Sequence, residues 1–229
     1  MSNKPITFNI SEIIPKEIIL YGGTGQSMQV RPIIEDYGST VIAIIDDTPG
    51  LKSPFDDIPI FAGYEKFIDF YNPKMKSETG FCITIGNPHA DIRIKLHKKL
   101  TKDGFLPVSI KHRTAWINDD VTIGIGAQIL EDALVSARVT LGMQCIINSK
   151  ASVGHESRLS DGVEIGPNAT VTGLVEIGYN TWVGAGAVIL PRLKIGKQCI
   201  IGAGSVVMKD VPCGTTVFGN PARPLLQKK

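Results

Sequence analysis

Residues 165–183 read IGPNATVTGLVEIGYNTWV, and every sixth position in them, Ile165, Val171, Ile177 and Val183, is aliphatic. The same step runs outward in both directions. It begins at Ile117 and passes through Ile123, Ile129, Val135, Leu141, Ile147, Val153 and Leu159; beyond Val183 it continues through Ile189, Ile195, Ile201 and Val207, sixteen positions without an exception. The residue four further on is small or aliphatic each time, from Val121 to Val211. Gly follows the aliphatic position at 124, 142, 154, 166, 178, 184, 196 and 202. A helix repeats every 3.6 residues and an amphipathic strand every two, so neither produces an unbroken six. A parallel β-helix of hexapeptides does.

In such a coil, residues i and i+4 point inward from short strands. The residues between them turn a corner, where Gly is expected to supply unusual backbone angles. Three hexads close one coil, so residues eighteen apart stack at about 4.8 Å. Cys145 and Cys199 fall on inward positions, where Cys acts as a small hydrophobe.

Upstream, the pattern is β/α. Buried strands are expected at Ile18–Tyr21, Thr40–Ile45 and Phe81–Ile85, with a short one around Ile60. Helices are expected after the Gly22-Gly23-Thr24-Gly25 loop to about Tyr37, near Tyr64–Tyr71 and over Asp91–Lys102, with Pro32 marking a kink or a late start in the first. Alternation of this kind implies a small parallel sheet covered by helices, with ligands beyond the carboxyl ends of its strands. Gly22–Gln26, Asp46-Asp47 and Gly86-Asn87 lie there. The Gly loop departs from the dinucleotide fingerprint, because Met28 stands where the third glycine belongs. It still offers N–H groups to a phosphate at a helix start, while Asp46 and Asp47 are placed to accept hydrogen bonds from a ribose or base. Arg93 and Lys95 read as solvated. The expected organisation is an N-terminal extension over 1–15, a Rossmann-like domain over 16–113, with Val108–Arg113 as the joint, and a β-helix over 114–229 ending in a Gly219-Asn220-Pro221-Ala222-Arg223 loop and a frayed tail.

Composition narrows the class of function. The 229 residues carry a formal charge of only +2, so neither nucleic acid nor a membrane surface is suggested as a partner. No apolar run reaches a membrane span, the first residues carry no signal-peptide pattern, and the cytoplasm is the expected compartment. Four cysteines show no metal spacing. His155 is the single histidine of the sixteen hexads, whereas a zinc site would need several, so no metal is expected.

His155 is the third residue of its hexad, beside a corner and facing outward. Glu156 follows directly and can orient the imidazole. Gly173 lies eighteen residues on, one coil above, with no side chain to shield its N–H. A base beside a free N–H donor is the pair acyl transfer requires, one taking the nucleophile's proton and the other steadying the oxyanion.

Taken together, Gly22-Gly23-Thr24-Gly25, Ile45-Asp46-Asp47, Ile85-Gly86-Asn87 with Arg93, the hexads bearing His155-Glu156, and Gly219-Asn220-Pro221-Ala222 resemble bacterial sugar acyltransferases of the PglD/NeuD type, over nearly the whole chain. The resemblance implies a left-handed coil and a cytoplasmic homotrimer with active sites between adjacent β-helices, serving surface-polysaccharide biosynthesis. It implies acetyl-CoA as co-substrate and a nucleotide-linked amino sugar as acceptor, N-acetylated at its 4-amino group. His155 would be the base, Glu156 its acidic neighbour and Gly173 the oxyanion donor. The nucleotide sugar would meet Gly23, Thr24, Gly25, Gln26, Asp46, Asp47 and Asn87. Acetyl-CoA would meet Glu164, Gly173, Gly184, Gly202, Asn220, Pro221 and Ala222. Many members carry His where this chain has Gln26 and Glu164, which points to a changed substrate subgroup. O-acetylation of a sialic-acid-type sugar and a non-catalytic hexapeptide scaffold are the alternative readings.

Overall fold

A computed structural model describes residues 14–71, 73–86 and 88–225; the expected extension up to residue 13, Asn87 and the last four residues lie outside the described residues. The N-terminal part is a five-stranded parallel sheet of β1 (Glu17–Tyr21), β2 (Thr40–Asp46), β3 (Ile60–Ala62), β4 (Thr79–Ile83) and β5 (Leu106–Pro107), in the order β3-β2-β1-β4-β5. Alternation along β1 decides what covers each face. Ile18 and Leu20 pack with Val30, Ile33 and Ile34 of α1 (Gly25–Asp36), while Ile19 and Tyr21 pack with Phe67 of α2 (Tyr64–Phe70) and Leu96 and Leu100 of α3 (Ala90–Lys102). Helix α1 starts at once after the Gly loop and runs through Pro32, so the expected late start does not occur.

Ile110–Lys111, within the segment read as the joint, already pairs with Gln128–Ile129 as the first strand of the second part. That part is a three-sided prism. Face 1 holds six strands from Trp116–Ile117 to Val206–Val207, face 2 five from Thr122–Ile123 to Lys194–Ile195, and face 3 eight from Ile110–Lys111 to Arg223–Pro224. Parallel partners lie eighteen apart, as in Leu134↔Ser152 and Thr170↔Val188. The aliphatic positions and their i+4 partners fill the interior as one continuous cluster, each full burial of a Val, Leu or Ile contributing about 1.5–3 kcal/mol. Burial pushes the Cys145 thiol up to about 12, which suits packing rather than nucleophilic chemistry.

The glycines after the aliphatic positions have a different cause from the one expected. None of them has a positive φ; that conformation falls two residues later, at Gly126, Asp132, Arg138, Gln144 and every sixth residue to Gly204. Ten of those corner residues are not glycine. Gly124 and Gly142 are needed for space instead: a Cβ on Gly124 would stand 2.3 Å from the carbonyl carbon of Gly142, and one on Gly142 would stand 2.5 Å from the backbone N of Asp161. The coils stack too closely there for any side chain.

The N-terminal part docks on face 3 and on the corner between faces 2 and 3. Arg93 corrects its sequence reading. It is fully buried, not solvated, because α3 turns it toward the prism together with His97. Its Nη1 donates to the Ile85 carbonyl at 3.0 Å and its Nη2 to the Gly162 carbonyl at 2.8 Å, and Glu164 lies 3.7 Å away. Gly162 admits α3, since a Cβ there would meet that of Ala90 at 2.6 Å. Asn180 donates to Asp91 at 2.9 Å, and the Tyr179 hydroxyl also donates to Asp91, closing the same junction.

Candidate active site

Two sites emerge, on different sides of the chain. The first is a cleft of about 560 Å³ beyond the carboxyl ends of β1, β2 and β4, lined by Thr24, Gln26, Asp46 and Asp47 among others. Strand order explains its place: β1 has β2 on one side and β4 on the other, so their following loops diverge and leave a crevice. Gly22, with φ +117, starts the turn; a Cβ there would stand 2.5 Å from the Thr84 carbonyl oxygen. The Thr84 hydroxyl donates to the Gly22 carbonyl at 2.6 Å. Asp46 fixes the loop, accepting the Gly23 N–H at 2.6 Å and the Thr48 N–H at 2.9 Å. Asp47 accepts from the Tyr21 hydroxyl at 3.0 Å. Burial first, and then Asp47, hold that phenol well above its ordinary range. Gly25 has open space where a Cβ would be, so no described residue crowds that position at the start of α1.

Sequence reading did not single out Tyr21, Thr48, Thr84, His89 or Ile92, which also line the cleft. Tyr21 and Thr84 carry a usable signal, since each stands at or just past the end of a buried strand. His89 and Ile92 carry none, because their approach depends on how α3 docks.

The second site is the corner between faces 1 and 2. Ser152–Val153 leads into His155 and Thr170–Val171 into Gly173, one coil apart. The imidazole lies over Gly173: a Cβ at 173 would stand 2.4 Å from Nε2 and 2.7 Å from Cε1. On the other side of the ring, Nδ1 is 3.2 Å from Glu156 Oε1. Glu156 occupies a left-handed corner position with φ +60, which aims its side chain back along the corner. His155 is 57% exposed. The Gly173 N–H has no acceptor among the described residues. Its turn is held from inside by Ser157, whose hydroxyl donates to the Thr172 carbonyl at 2.9 Å and accepts the Val175 N–H at 3.1 Å. Ser157 was legible only as an inward small residue.

Other expected contacts lie apart from His155 within one chain. Glu164 is on face 3, beside Arg93 and 3.3 Å from Asn148 Nδ2. Gly184 and Gly202 follow face 3 strands at the opposite edge of face 1. Both are explained by stacking, because a Cβ on Gly184 would stand 2.6 Å from the Ala203 N and one on Gly202 1.9 Å from the Phe218 ring. Gly219 has φ +96, the Asn220–Pro221 peptide is cis, and Ala222 N–H donates to the Val206 carbonyl at 2.8 Å. No group of three or more potential metal ligands occurs among the described residues, and none of their helices is long and apolar enough to cross a membrane.

Fold and site together define a hexapeptide-repeat transferase with an added N-terminal domain: residues 175–209 match the bacterial transferase hexapeptide family and residues 17–100 the PglD N-terminal domain. Solved structures narrow the class further. WeeI from Acinetobacter baumannii is 30% identical, with a TM-score of 0.81 over 91% of this chain and 99% of that one. PerB from Caulobacter crescentus, in complex with CoA and GDP-perosamine, is 28% identical with a TM-score of 0.80, covering 91% and 97%. The acetyltransferase domain of PglB from Neisseria gonorrhoeae, in complex with acetyl coenzyme A, is 25% identical with a TM-score of 0.81, covering 92% and 100%. The chain belongs to the PglD-type family, and its parallel prism is consistent with the left-handed coil expected of hexapeptide repeats.

Proposed function

We propose that the protein transfers acetyl from acetyl-CoA to the 4-amino group of a nucleotide-linked amino-dideoxy sugar. The observation that carries this reading is the His155 ring set between the Glu156 carboxylate and the bare backbone of Gly173. With Glu156 accepting from Nδ1–H, Nε2 keeps its lone pair and is the basic atom. The sugar amine attacks the thioester carbonyl and forms the C–N bond as Nε2 takes its proton. The Gly173 N–H steadies the resulting oxyanion. The C–S bond then breaks, and the CoA thiolate recovers the proton from Nε2.

An outward histidine on a narrow prism needs a second wall. We assign that wall to a neighbouring copy in a homotrimer. Face 1, whose edge carries His155, presents Trp116 and Leu134 to solvent, and apolar groups exposed in a row fit burial against another copy. The cleft beyond β1, β2 and β4 holds the nucleotide sugar. Gly184, Gly202 and the Asn220–Ala222 loop, at the other edge of face 1, contact CoA.

The test is thiol release from acetyl-CoA with UDP-, dTDP- and GDP-linked 4-amino sugars, and sialic acid as hydroxyl control. General-base catalysis is worth about 10²- to 10⁴-fold, so His155→Ala should lose that much turnover on one amino sugar. Activity on sialic acid alone would move the assignment to O-acetylation. Near-normal turnover by His155→Ala would remove the base.

A further inference from the structure

Gln128 stands on face 3 of the prism, and its side chain is wholly buried against the N-terminal domain. A buried amide left without partners is destabilising, and this one has a partner at each end. Its Nε2 donates to the Ile83 carbonyl at 2.6 Å, and its Oε1 accepts from Gln26 Nε2 at 2.8 Å. A backbone carbonyl can only accept, and that fixes the direction of the whole relay. Ile83 holds the Gln128 nitrogen toward β4, the Gln128 oxygen therefore faces Gln26, and Gln26 must turn its nitrogen to Gln128. The end of the Gln26 amide turned away is its carbonyl. Gln26 is half-buried and lines the cleft, and its Oε1 has no donor among the described residues.

Resting on the reading of the cleft as a nucleotide-sugar site, we infer that Gln26 Oε1 is a fixed acceptor for an amine N–H of the bound sugar and that Gln128 is the positioning residue that keeps it so. Topology sets which part of the ligand is involved. Asp46 and Asp47 lie beyond β2, while Gln26 lies at the prism side of the cleft, so a ligand with its nucleoside near the carboxylates extends its sugar toward Gln26. An amide oxygen in that place accepts from a donor without itself changing charge. It selects a sugar bearing a donor over one that lacks it. The reaction that supplies this substrate must then be one that places an amine on a nucleotide-linked sugar.

The experiment is titration calorimetry with GDP-4-amino-4,6-dideoxymannose, its 4-deoxy counterpart and GDP, and with the UDP- and dTDP-linked pairs in parallel. It compares wild type, Gln26→Met, Gln128→Leu and the double variant. Wild type should bind the amino sugar about tenfold more tightly than the 4-deoxy analogue, the increment of one good hydrogen bond. Gln26→Met should erase that preference and hold free-nucleotide affinity within about twofold. Gln128→Leu should weaken the preference, and the double variant should equal Gln26→Met, since a residue acting only through Gln26 adds nothing once Gln26 is gone. Persistence of the preference in Gln26→Met overturns the inference, as do additive effects in the double variant. Gln26 is not a core residue, so its variant decides the matter even if Gln128→Leu fails to fold. If wild type binds none of the nucleotides, the reading of the cleft fails and carries the inference with it, a result visible before any variant is compared.

Discussion

Nε2 of His155 lies 2.4 Å from the point where Gly173 would carry a Cβ, so the imidazole fills the space a side chain at 173 would need. Gly173→Ala therefore pushes the ring off its coil. The backbone tolerates Ala, because φ at 173 is not in the left-handed region. The displaced atoms belong to an exposed side chain, so stability should change by less than about 1 kcal/mol. Misplacing a catalytic group by about 1 Å can cost about 10²-fold, and turnover should fall by that order. Thiol-release kinetics beside a melting curve measures both. Equal loss of fold and activity would mean that the glycine serves the coil alone.

Glycines after the aliphatic positions and glycines at the corners should respond in opposite ways. At Gly124, a Cβ would meet backbone of the next coil at 2.3 Å, and backbone in a stacked coil has nowhere to go. Gly124→Ala should destabilise by about 1–3 kcal/mol, as overpacking does. Gly186 has φ +65 and open space around a Cβ, at a corner position where Asn168 and Asn180 already stand. Gly186→Asn should change stability by less than about 1 kcal/mol. Denaturant melts of the two variants give the comparison, and a reversed order would mean that backbone angle, not space, dictates the spacing of these glycines.

The same contrast marks what could be read from the sequence. A period of six is set by how far each strand reaches before the next corner, and it fixes both the prism and the eighteen-residue stacking of His155 beneath Gly173. Asp46 and Asp47 were legible because they end a buried strand in a parallel sheet. What the period cannot encode is the contact between the two parts. Arg93 looks like any charged residue of a helix until α3 meets Gly162. Gln128 looks like an outward polar residue until face 3 is covered. The cause of the glycines after the aliphatic positions is not legible, because stacking distance and backbone angle both favour Gly and the sequence does not separate the two.

Arg93 gives the junction a measurable strength. Its guanidinium is fully buried and serves the Ile85 and Gly162 carbonyls, one on the wall of the cleft and the other on the prism. Burial lowers its pKa from the ordinary arginine value, and Glu164 opposes that shift. Arg93→Met preserves volume and removes the donors, leaving both carbonyls unserved at about 1–3 kcal/mol each. Loss of about 2–6 kcal/mol is expected by denaturant titration. Limited proteolysis should show the N-terminal part released first. A variant as stable as wild type would assign the junction to apolar packing.

His97 makes the same junction sensitive to acid. It is 5% exposed, packs edge-on against Phe81, and has Gln144 Nε2 3.0 Å from its Nδ1. Burial lowers its pKa below the ordinary value, Lys98 adds to the effect, and Asp161 opposes it. Above a pH of about 6.5, where the unfolded imidazole titrates, folded and unfolded chains are both neutral at this site, and the full stability is present. As pH falls through that value the unfolded chain takes up a proton that the folded chain refuses, so stability drops until the depressed folded pKa is passed. One proton bound only by the unfolded state gives a slope of at most about 1.4 kcal/mol per pH unit. Proton uptake by the folded chain would also set an N–H on Nδ1 against the Gln144 amide nitrogen and force that amide to turn. Melting temperatures at pH 7.5 and pH 5.5 should therefore fall further for wild type than for His97→Gln, which keeps a polar group beside Gln144 and does not titrate. Equal falls in the two proteins would place the acid sensitivity elsewhere in the chain.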